Sequence, residues 1–483
     1  MAGGALFSFL LVWLLDPLQT ALLVSALDLA LAFRFLLPAR PGLRRLLPPL
    51  ALPLLGLCAI LAGPAIHRGS LAWQWRDLAL AVDSPYGRLT VVARGEQRVF
   101  FGDGLLAFET QSTFPEEVVH FPMLAHPAPR SVLLIGGGVG GDLREVFQHP
   151  VEEVVYVERD PAVIRAALEV LPPADAAVLS DPRVRLVLSD GRRYVQRAGR
   201  AFDVVILDLP EPSTGALNRF YTREFFSEVR AVLTPGGIFS LALPSAENYW
   251  SPELARRNGS VYWTLREVFP EVTVLPGEHN LFLASDRPLP TDPAVLTERL
   301  EERGIETAWV TPAYVEYVFT TDRFAQVRAE LEGMADVWRN RDRRPICYYY
   351  DLVLWLWRFG ISLGKPCRLE AGLWTTMAAV AAGAVALGRW RRKAAVPLAM
   401  AAVGLIEMAL EVVILFAFQI GHGTLYARVS LVVTAFMTGL VAGGAAGRRW
   451  RGSARRALTA VVGTLTALAG GTALLPLRTP EVG

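Results

Sequence analysis

The order of apolar and polar positions divides the chain into three parts. Near the N-terminus, residues 5–37 and 46–66 are apolar enough to span a bilayer. Four further apolar runs lie near the C-terminus, at 371–388, 394–418, 429–447 and 457–476. Residues 67–350 alternate short apolar and polar segments, as an ordinary α/β protein does. The pattern predicts a soluble domain inserted between α-helical transmembrane segments.

The central part changes its hydrophobic period once. Residues 72–110 contain short alternating runs separated by turn sequences, which predict a small N-terminal β module. A helix is expected from Glu116 to Ala125. Residues 130–285 then alternate strand-like and helix-like segments, an order typical of a parallel sheet covered by helices. The last two runs, Val272–Leu275 and Asn280–Ala284, predict an antiparallel hairpin at the sheet edge.

These patterns define five segments. They are transmembrane helices in 1–66, the β module in 67–112, the α/β domain in 113–290, an appendix with a membrane-interface segment in 291–366, and transmembrane helices in 367–483. The interface segment is assigned from the aromatic residues between Tyr348 and Trp357, because aromatic belts lie at membrane interfaces. An ordinary aromatic core is the alternative for the tyrosines.

A glycine-rich turn is the first candidate for chemistry. An apolar run, Val132 to Ile135, predicts a buried strand, and a helical pattern starts at Asp142. Five glycines lie between them: Gly136, Gly137, Gly138, Gly140 and Gly141. Strand, glycine turn and helix together let a ligand approach the backbone near a helix N-terminus.

Three acidic residues follow predicted strands. Glu158 ends the strand about 20 residues beyond the glycines, where nucleotide-binding folds hold ribose hydroxyls. Asp190 and Asp208 follow the next two strands. Because ligands of open α/β sheets bind at the carboxyl ends of the strands, we expect these acids in one site. The alternative is that each acid caps the following helix.

Charge and composition exclude several classes of function. The chain has 48 Lys+Arg and 46 Asp+Glu, so net charge gives no reason to expect nucleic acid as a partner. Three cysteines lie far apart and six histidines form no cluster with ligand spacing, so no metal site is expected. Glu407 and Glu411 share one helix face within a predicted membrane segment, where acids are candidates for function.

Several ordered motifs carry a family resemblance. They are Asp103-Gly104-Leu105, His120 to Pro127, the glycine turn, Asp181 to Val184, Asp190-Gly191-Arg192, Asp208 to Pro212, Asn218 to Tyr221, and Thr234 to Gly237. With them, residues 72–285 resemble the spermidine synthases, also called polyamine aminopropyltransferases. The whole layout is similar to the membrane-bound bacterial members of that family.

The resemblance implies a Rossmann-like S-adenosylmethionine-type fold and a transferase. An aminopropyl group would move from decarboxylated S-adenosylmethionine, the co-substrate, to a polyamine such as putrescine. The implied roles are catalytic base for Asp208; substrate binding for Glu211, Asn218 and Tyr221; and co-substrate binding for the five turn glycines, Glu158, Asp190 and Gly191. Of these, Glu158 would hold the ribose hydroxyls and Asp190 the adenine amino group.

The chain departs from the family pattern in the amine half of the site. Val139 replaces an aspartate that binds the co-substrate's amine in the family, and Phe114-Pro115 replace a tyrosine-glutamine pair. A tyrosine near the last hairpin has no equivalent around Pro276 to His279. Two alternatives therefore stay open: a methyltransferase that uses S-adenosylmethionine, and a transporter or sensor whose soluble domain binds a polyamine or nucleoside without chemistry.

The arginine-rich loops bear on location and partners. Loops near Arg44, Arg391 and Arg449 are expected on the cytoplasmic side, which would place the catalytic domain outside. The cytosolic origin of the co-substrate favours the opposite orientation. We therefore predict a multi-pass cell (inner) membrane protein with the side of the domain open. The expected partners are a polyamine, the lipid membrane and a second copy in a homodimer.

Overall fold

A computed structural model of the chain describes residues 17–36, 47–357 and 426–449, with isolated positions between 11 and 15, at 359 and between 404 and 419. Two helices come first, α1 (Pro17–Leu36) and α2 (Leu47–Gln74). The N-terminal β module follows and is confirmed. Its antiparallel strands lie side by side in chain order: β1 (Leu78–Ser84), β2 (Gly87–Arg94), β3 (Gln97–Gly102) and β4 (Leu105–Glu109).

The main sheet has seven strands. They are β5 (Ser131–Gly136), β6 (Glu153–Glu158), β7 (Val184–Leu188), β8 (Phe202–Asp208), β9 (Leu233–Pro244), β10 (Glu271–Leu275) and β11 (His279–Ser285). Their order across the sheet is β10-β11-β9-β8-β5-β6-β7. The run from β9 to β7 is parallel, whereas β11 is antiparallel to both neighbours. The predicted hairpin is thus confirmed, and β10 forms the edge.

The strand order reverses between β5 and β8, and this reversal positions the site. The chain moves outward from β5 through β6 to β7, then returns to β8 on the other side of β5. In open α/β sheets such a switch point opens a crevice at the carboxyl ends of the two strands. Gly136 at the end of β5 pairs in register with Asp208 at the end of β8. The glycine turn and this acid therefore lie side by side.

Helices cover both faces of the sheet and continue beyond it. They are α3 (Phe114–Ala125), α4 (Asp142–Val146), α5 (Pro161–Val170), α6 (Pro173–Ala177), α7 (Gly191–Arg197), α8 (Gly215–Asn218), α9 (Arg223–Ala231), α10 (Pro252–Arg266), α11 (Pro293–Glu302), α12 (Pro312–Thr320), α13 (Asp322–Glu332), α14 (Ile346–Trp357) and α15 (Tyr426–Arg449). Alternate residues of the buried strands enter different cores: Val132 and Leu134 pack on one face, Leu133 and Ile135 on the other. This explains why β5 is apolar throughout.

The segment after β11 is tied to the α/β core. Arg299 and Arg303 of this segment donate hydrogen bonds to the backbone carbonyls of residues 123–127, at the C-terminal end of α3. Cationic side chains stabilise a helix end that has unpaired carbonyl groups. The buried Arg192 also forms bidentate hydrogen bonds with Glu228 and with Asp342. The appendix therefore completes the packing of the core.

The predicted transmembrane helices do not gain support from the structure. Within the residues described, no helix combines the length and apolar character needed to cross a lipid bilayer. The predicted spans 371–388 and 457–476 lie outside the described residues, and 5–37, 46–66 and 394–418 lie partly outside them. Glu407, one of the two acids predicted within the membrane, also lies outside them.

Candidate active site

The glycine turn brings two carboxyl groups against bare backbone. Gly137 has φ of 67°, a left-handed conformation that favours glycine. A Cβ atom there would lie 2.1 Å from Oδ2 of Asp142 and 2.3 Å from Oδ2 of Asp208. At Gly138, a Cβ atom would lie 2.7 Å from the ring of Tyr156. Side chains are therefore excluded at both positions, and the turn can approach a ligand closely.

Asp208 lies at the end of β8, beside this turn. Its carboxyl group is surrounded by protein, although the residue as a whole is only half-buried. Burial raises the pKa of Asp208 to about 6, while the neighbouring carboxyl group of Asp142 acts in the other direction. A carboxylate with this pKa is mainly ionised at neutral pH and is better matched to general-base work than an exposed aspartate.

Asp142 is a second acid of the site, and the sequence analysis did not identify it. It begins α4, is 1% exposed, and its Oδ2 has no hydrogen-bond partner among the described residues. Burial and the neighbouring charge of Asp208 raise the pKa of Asp142 well above its usual value. The signal for it was an acid directly after the last glycine of the turn.

A buried chain of polar contacts fixes α4. His120, from the motif in α3, contacts Nε2 of His149 through Nδ1 at 3.0 Å and Oε2 of Glu145 through Nε2 at 3.3 Å. Burial lowers the pKa of His149 well below its usual value, so this ring is neutral. Burial acts to raise the pKa of Glu145, but hydrogen bonds with His120 and Arg144 hold it below its usual value. These contacts hold the helix that carries Asp142.

Glu158 lies at the end of β6, as the sequence predicts. Its carboxylate accepts hydrogen bonds from the backbone N–H of Asp160 at 2.9 Å and from the hydroxyl of Tyr156 at 3.1 Å. Burial raises the pKa of Glu158 despite these bonds. The side chain is therefore fixed at the carboxyl edge, next to the strand that bears the glycine turn.

Asp190 is more heavily engaged than the sequence suggested. One carboxylate oxygen caps α7 by accepting a hydrogen bond from the backbone N–H of Arg193, and the other pairs with buried Arg219. Gly191 lets this helix pack closely on β5, because a Cβ atom would lie 2.5 Å from Cγ2 of Ile135. The helix-cap alternative therefore describes Asp190 in this structure, and its predicted role toward adenine stays a prediction.

Asn218 and Tyr221 are buried behind the loop that follows β8. The Tyr221 hydroxyl contacts the carbonyl oxygens of Leu209 at 3.0 Å and Pro210 at 2.9 Å, and it can donate to either. The Asn218 side chain accepts hydrogen bonds from Asn340 and from the backbone N–H of Tyr348, both at 3.1 Å. Tyr221 thus supports the loop that presents half-buried Glu211, and Asn218 holds the segment from Asn340 to Tyr348. Their predicted contacts with substrate stay predictions.

The side of the site where an amine is expected is aromatic and acidic. Phe114 packs on His279 with ring centroids 4.3 Å apart, and burial lowers the pKa of this histidine. Glu117 interacts electrostatically with Glu247 and Glu278, and burial raises its pKa. Among the described residues, no group of three or more His, Cys, Asp or Glu side chains could hold a metal ion.

Comparisons with known proteins find similar sequences and structures. The model of the spermine/spermidine synthase domain matches residues 112–272. The chain is 34% identical over 236 residues to polyamine aminopropyltransferase 1 of Hyperthermus butylicus, covering 45% of this chain and 79% of that protein. It is 32% identical over 257 residues to the polyamine aminopropyltransferase of a Thermoanaerobacter species, covering 52% and 91%. The structure of spermidine synthase from Thermotoga maritima is 27% identical with a TM-score of 0.45, covering 53% and 88%.

The family follows from the two curated relatives, since each is more than 30% identical and matched over most of its own length. Spermidine synthases use decarboxylated S-adenosylmethionine as co-substrate. The bare glycine turn lets a nucleoside approach the backbone closely. The carboxylate of Glu158 can accept hydrogen bonds from ribose hydroxyls, and the paired acids Asp142 and Asp208 offer negative charge to a cation. The chain belongs to the polyamine aminopropyltransferase family and is a transferase with a Rossmann-like α/β domain.

Proposed function

We propose that this protein transfers an aminopropyl group from decarboxylated S-adenosylmethionine to an aliphatic diamine such as putrescine. The observation that carries the proposal is the carboxyl group of Asp208. It lies beside the bare backbone of Gly137, and burial places its pKa at about 6. Glu158 at the neighbouring strand end would orient the nucleoside through its ribose hydroxyls.

The acceptor requires a base because an alkylamine has a pKa of about 10 and is mostly protonated at neutral pH. Asp208 would hold the ammonium group, accept one proton from it and so expose the nitrogen lone pair. The co-substrate supplies a sulfonium leaving group. A carbon–nitrogen bond forms as the carbon–sulfur bond breaks, methylthioadenosine leaves, and the displaced proton stays with the carboxylate.

The decisive variant is Asp208→Asn. We expect a loss of turnover of about a hundred- to ten-thousand-fold, since general-base catalysis contributes a factor of this size. Binding of methylthioadenosine should remain. Asp336→Asn removes an exposed carboxylate elsewhere and serves as the matched control. Turnover of Asp208→Asn equal to that of the unmodified protein would refute the base. Stronger binding of S-adenosylmethionine than of its decarboxylated form would favour methyl transfer instead.

Preference for a diamine is supported by the carboxylates on the amine side. Four acidic residues lie along this side of the site: Glu117, Glu211, Glu247 and Glu278. Because each carboxylate attracts a positive charge of the substrate, a diamine with two charges should bind better than an amine with one. Initial rates with putrescine should exceed those with butylamine, which has the same carbon chain and one amine. Equal rates for the two would remove the basis for assigning diamines.

We also propose attachment to the cell membrane as a multi-pass protein. The apolar runs of the sequence support this, and so do apolar side chains that the described helices expose. Leu61 and Trp73 of α2 are 70% and 91% exposed, and Trp355 and Trp357 of α14 are 55% and 59% exposed. Such exposure is typical of surfaces that meet lipid or another protein. The protein should stay in the membrane pellet after alkaline carbonate and be released only by detergent; release by carbonate alone would contradict attachment by spanning helices.

A further inference from the structure

Two buried acids meet at one point of the site without a basic partner. Oδ2 of Asp142 and Oδ2 of Asp208 both lie within 2.3 Å of where a Cβ atom of Gly137 would be, so the two carboxyl groups are neighbours across this glycine. Among the described residues, no basic side chain contributes to the charge balance of either group. The titratable groups that interact with the pair are Glu145 of α4 itself, Tyr156 of β6 and Tyr221, and they are acidic or neutral.

Two carboxylates in this position cannot both stay ionised without a counter-charge. Like charges in a buried site raise the affinity of one group for a proton, and the pair then titrates as a unit. A bound cation offers the same compensation as the shared proton. Oδ2 of Asp142 is available for such a contact, because it is buried without a hydrogen-bond partner among the described residues.

We propose that Asp142 and Asp208 together form the binding site for the ammonium end of the aminopropyl chain, and that Asp142 supplies there the carboxylate that Val139 does not. The inference rests on the proposed function, since it names the residues of this chain that recognise the charged end of its co-substrate. Val139 is itself buried in the turn, three positions before Asp142. In this chain the acid follows the turn in sequence, and it lies beside Gly137.

Release of a proton on binding distinguishes this two-acid site from a site with a single carboxylate. Because the two neighbouring acids raise each other's affinity for a proton, we expect the free site to share one proton between them. When an ammonium or sulfonium cation enters, both carboxylates are stabilised in the ionised form, and the shared proton leaves to the solvent. Binding of decarboxylated S-adenosylmethionine should thus release up to about one proton, whereas uncharged methylthioadenosine should release none.

Calorimetric titration in phosphate and in Tris measures this directly, since the two buffers take up a proton with different heats. For the unmodified protein, the heat of binding should differ between the two buffers with decarboxylated S-adenosylmethionine but not with methylthioadenosine. In Asp142→Asn that difference should vanish, and the affinity for this co-substrate should fall about ten- to a hundred-fold, as for a lost hydrogen bond to a charged group. Affinity for methylthioadenosine should not change. Asp336→Asn, the same chemical change at an exposed acid elsewhere, is the matched control.

The outcomes distinguish the inference from the function on which it rests. If the unmodified protein binds the decarboxylated co-substrate without releasing a proton, the shared-proton pair is refuted while aminopropyl transfer stands. The same holds if Asp142→Asn binds that co-substrate like the unmodified protein. If the unmodified protein binds neither nucleoside, both the inference and the proposed function fail. The proton count on the unmodified protein needs no variant, so it decides the question even if Asp142→Asn does not fold.

Discussion

Tyr221 offers a sharp test of whether a predicted substrate contact is instead a support of the active-site loop. Its side chain is fully buried, and its hydroxyl reaches the carbonyl oxygens of Leu209 and Pro210. Tyr221→Phe keeps the ring and therefore leaves no large cavity. It leaves the carbonyl oxygens of Leu209 and Pro210 without this donor, and the loss of such a hydrogen bond costs about 0.5–1.5 kcal/mol.

The expected result is a lower free energy of unfolding by that amount, seen as a drop in Tm of about 2–4 °C per kcal/mol for a domain of this size. Thermal unfolding followed by circular dichroism measures it. Tyr194→Phe is the control, because no hydrogen bond of its hydroxyl occurs among the described residues and its stability should change by less than about 0.5 kcal/mol. Turnover of Tyr221→Phe should fall through a lower kcat, since the loop presents Glu211 less rigidly. Unchanged stability with a raised KM for the amine would refute the support role and favour direct contact with substrate.

Three further changes have clear expected outcomes. The pKa of Asp208 is raised from 3.8 to about 6, so its contribution to stability is complete below about pH 4 and is lost as pH rises through about 6. The Tm of the unmodified protein should therefore fall over this pH range, and the fall should be smaller in Asp208→Asn. An equal fall in both proteins would contradict the raised pKa. Arg192→Met leaves two acidic partners uncompensated and should cost about 3–5 kcal/mol in urea unfolding, whereas exposed Arg193→Met should not. Glu116→Gln weakens three hydrogen bonds from backbone N–H groups of residues 308–310 and should cost about 1–3 kcal/mol in the same assay; a stable variant would show that this contact is dispensable.

Local features of the fold were accessible to sequence reasoning. Each strand of the main sheet appears as an apolar run, and several helices begin at a residue whose side chain caps them, such as Asp160, Thr222 and Ser251. Those signals depend on residues close together in sequence. The glycine turn and Asp208 were likewise placed correctly, because parallel strands bring their carboxyl ends to one edge.

The site was harder to predict where its partners are distant along the chain. Asp142 meets Asp208 only after β5 and β8 pair, so its place directly after the glycine turn does not reveal its partner. Asp190 was expected to face the nucleoside, yet Arg219 holds one of its oxygens. Such contacts depend on tertiary packing, which the hydrophobic pattern does not specify.

The arginines after β11 have a consequence for how the chain matures during synthesis. Arg299 and Arg303 reach carbonyl groups that lie 174–180 residues earlier in the sequence. Contacts of such high sequence separation are slow to form and arise late in folding. As the nascent chain emerges, a further 174–180 residues must be synthesised before these arginines can reach α3, and its apolar surface stays uncovered meanwhile. A polypeptide whose translation stops before Arg299 should be prone to aggregation. A ribosome-bound chain long enough to expose Arg303 should be the first that can become resistant to protease.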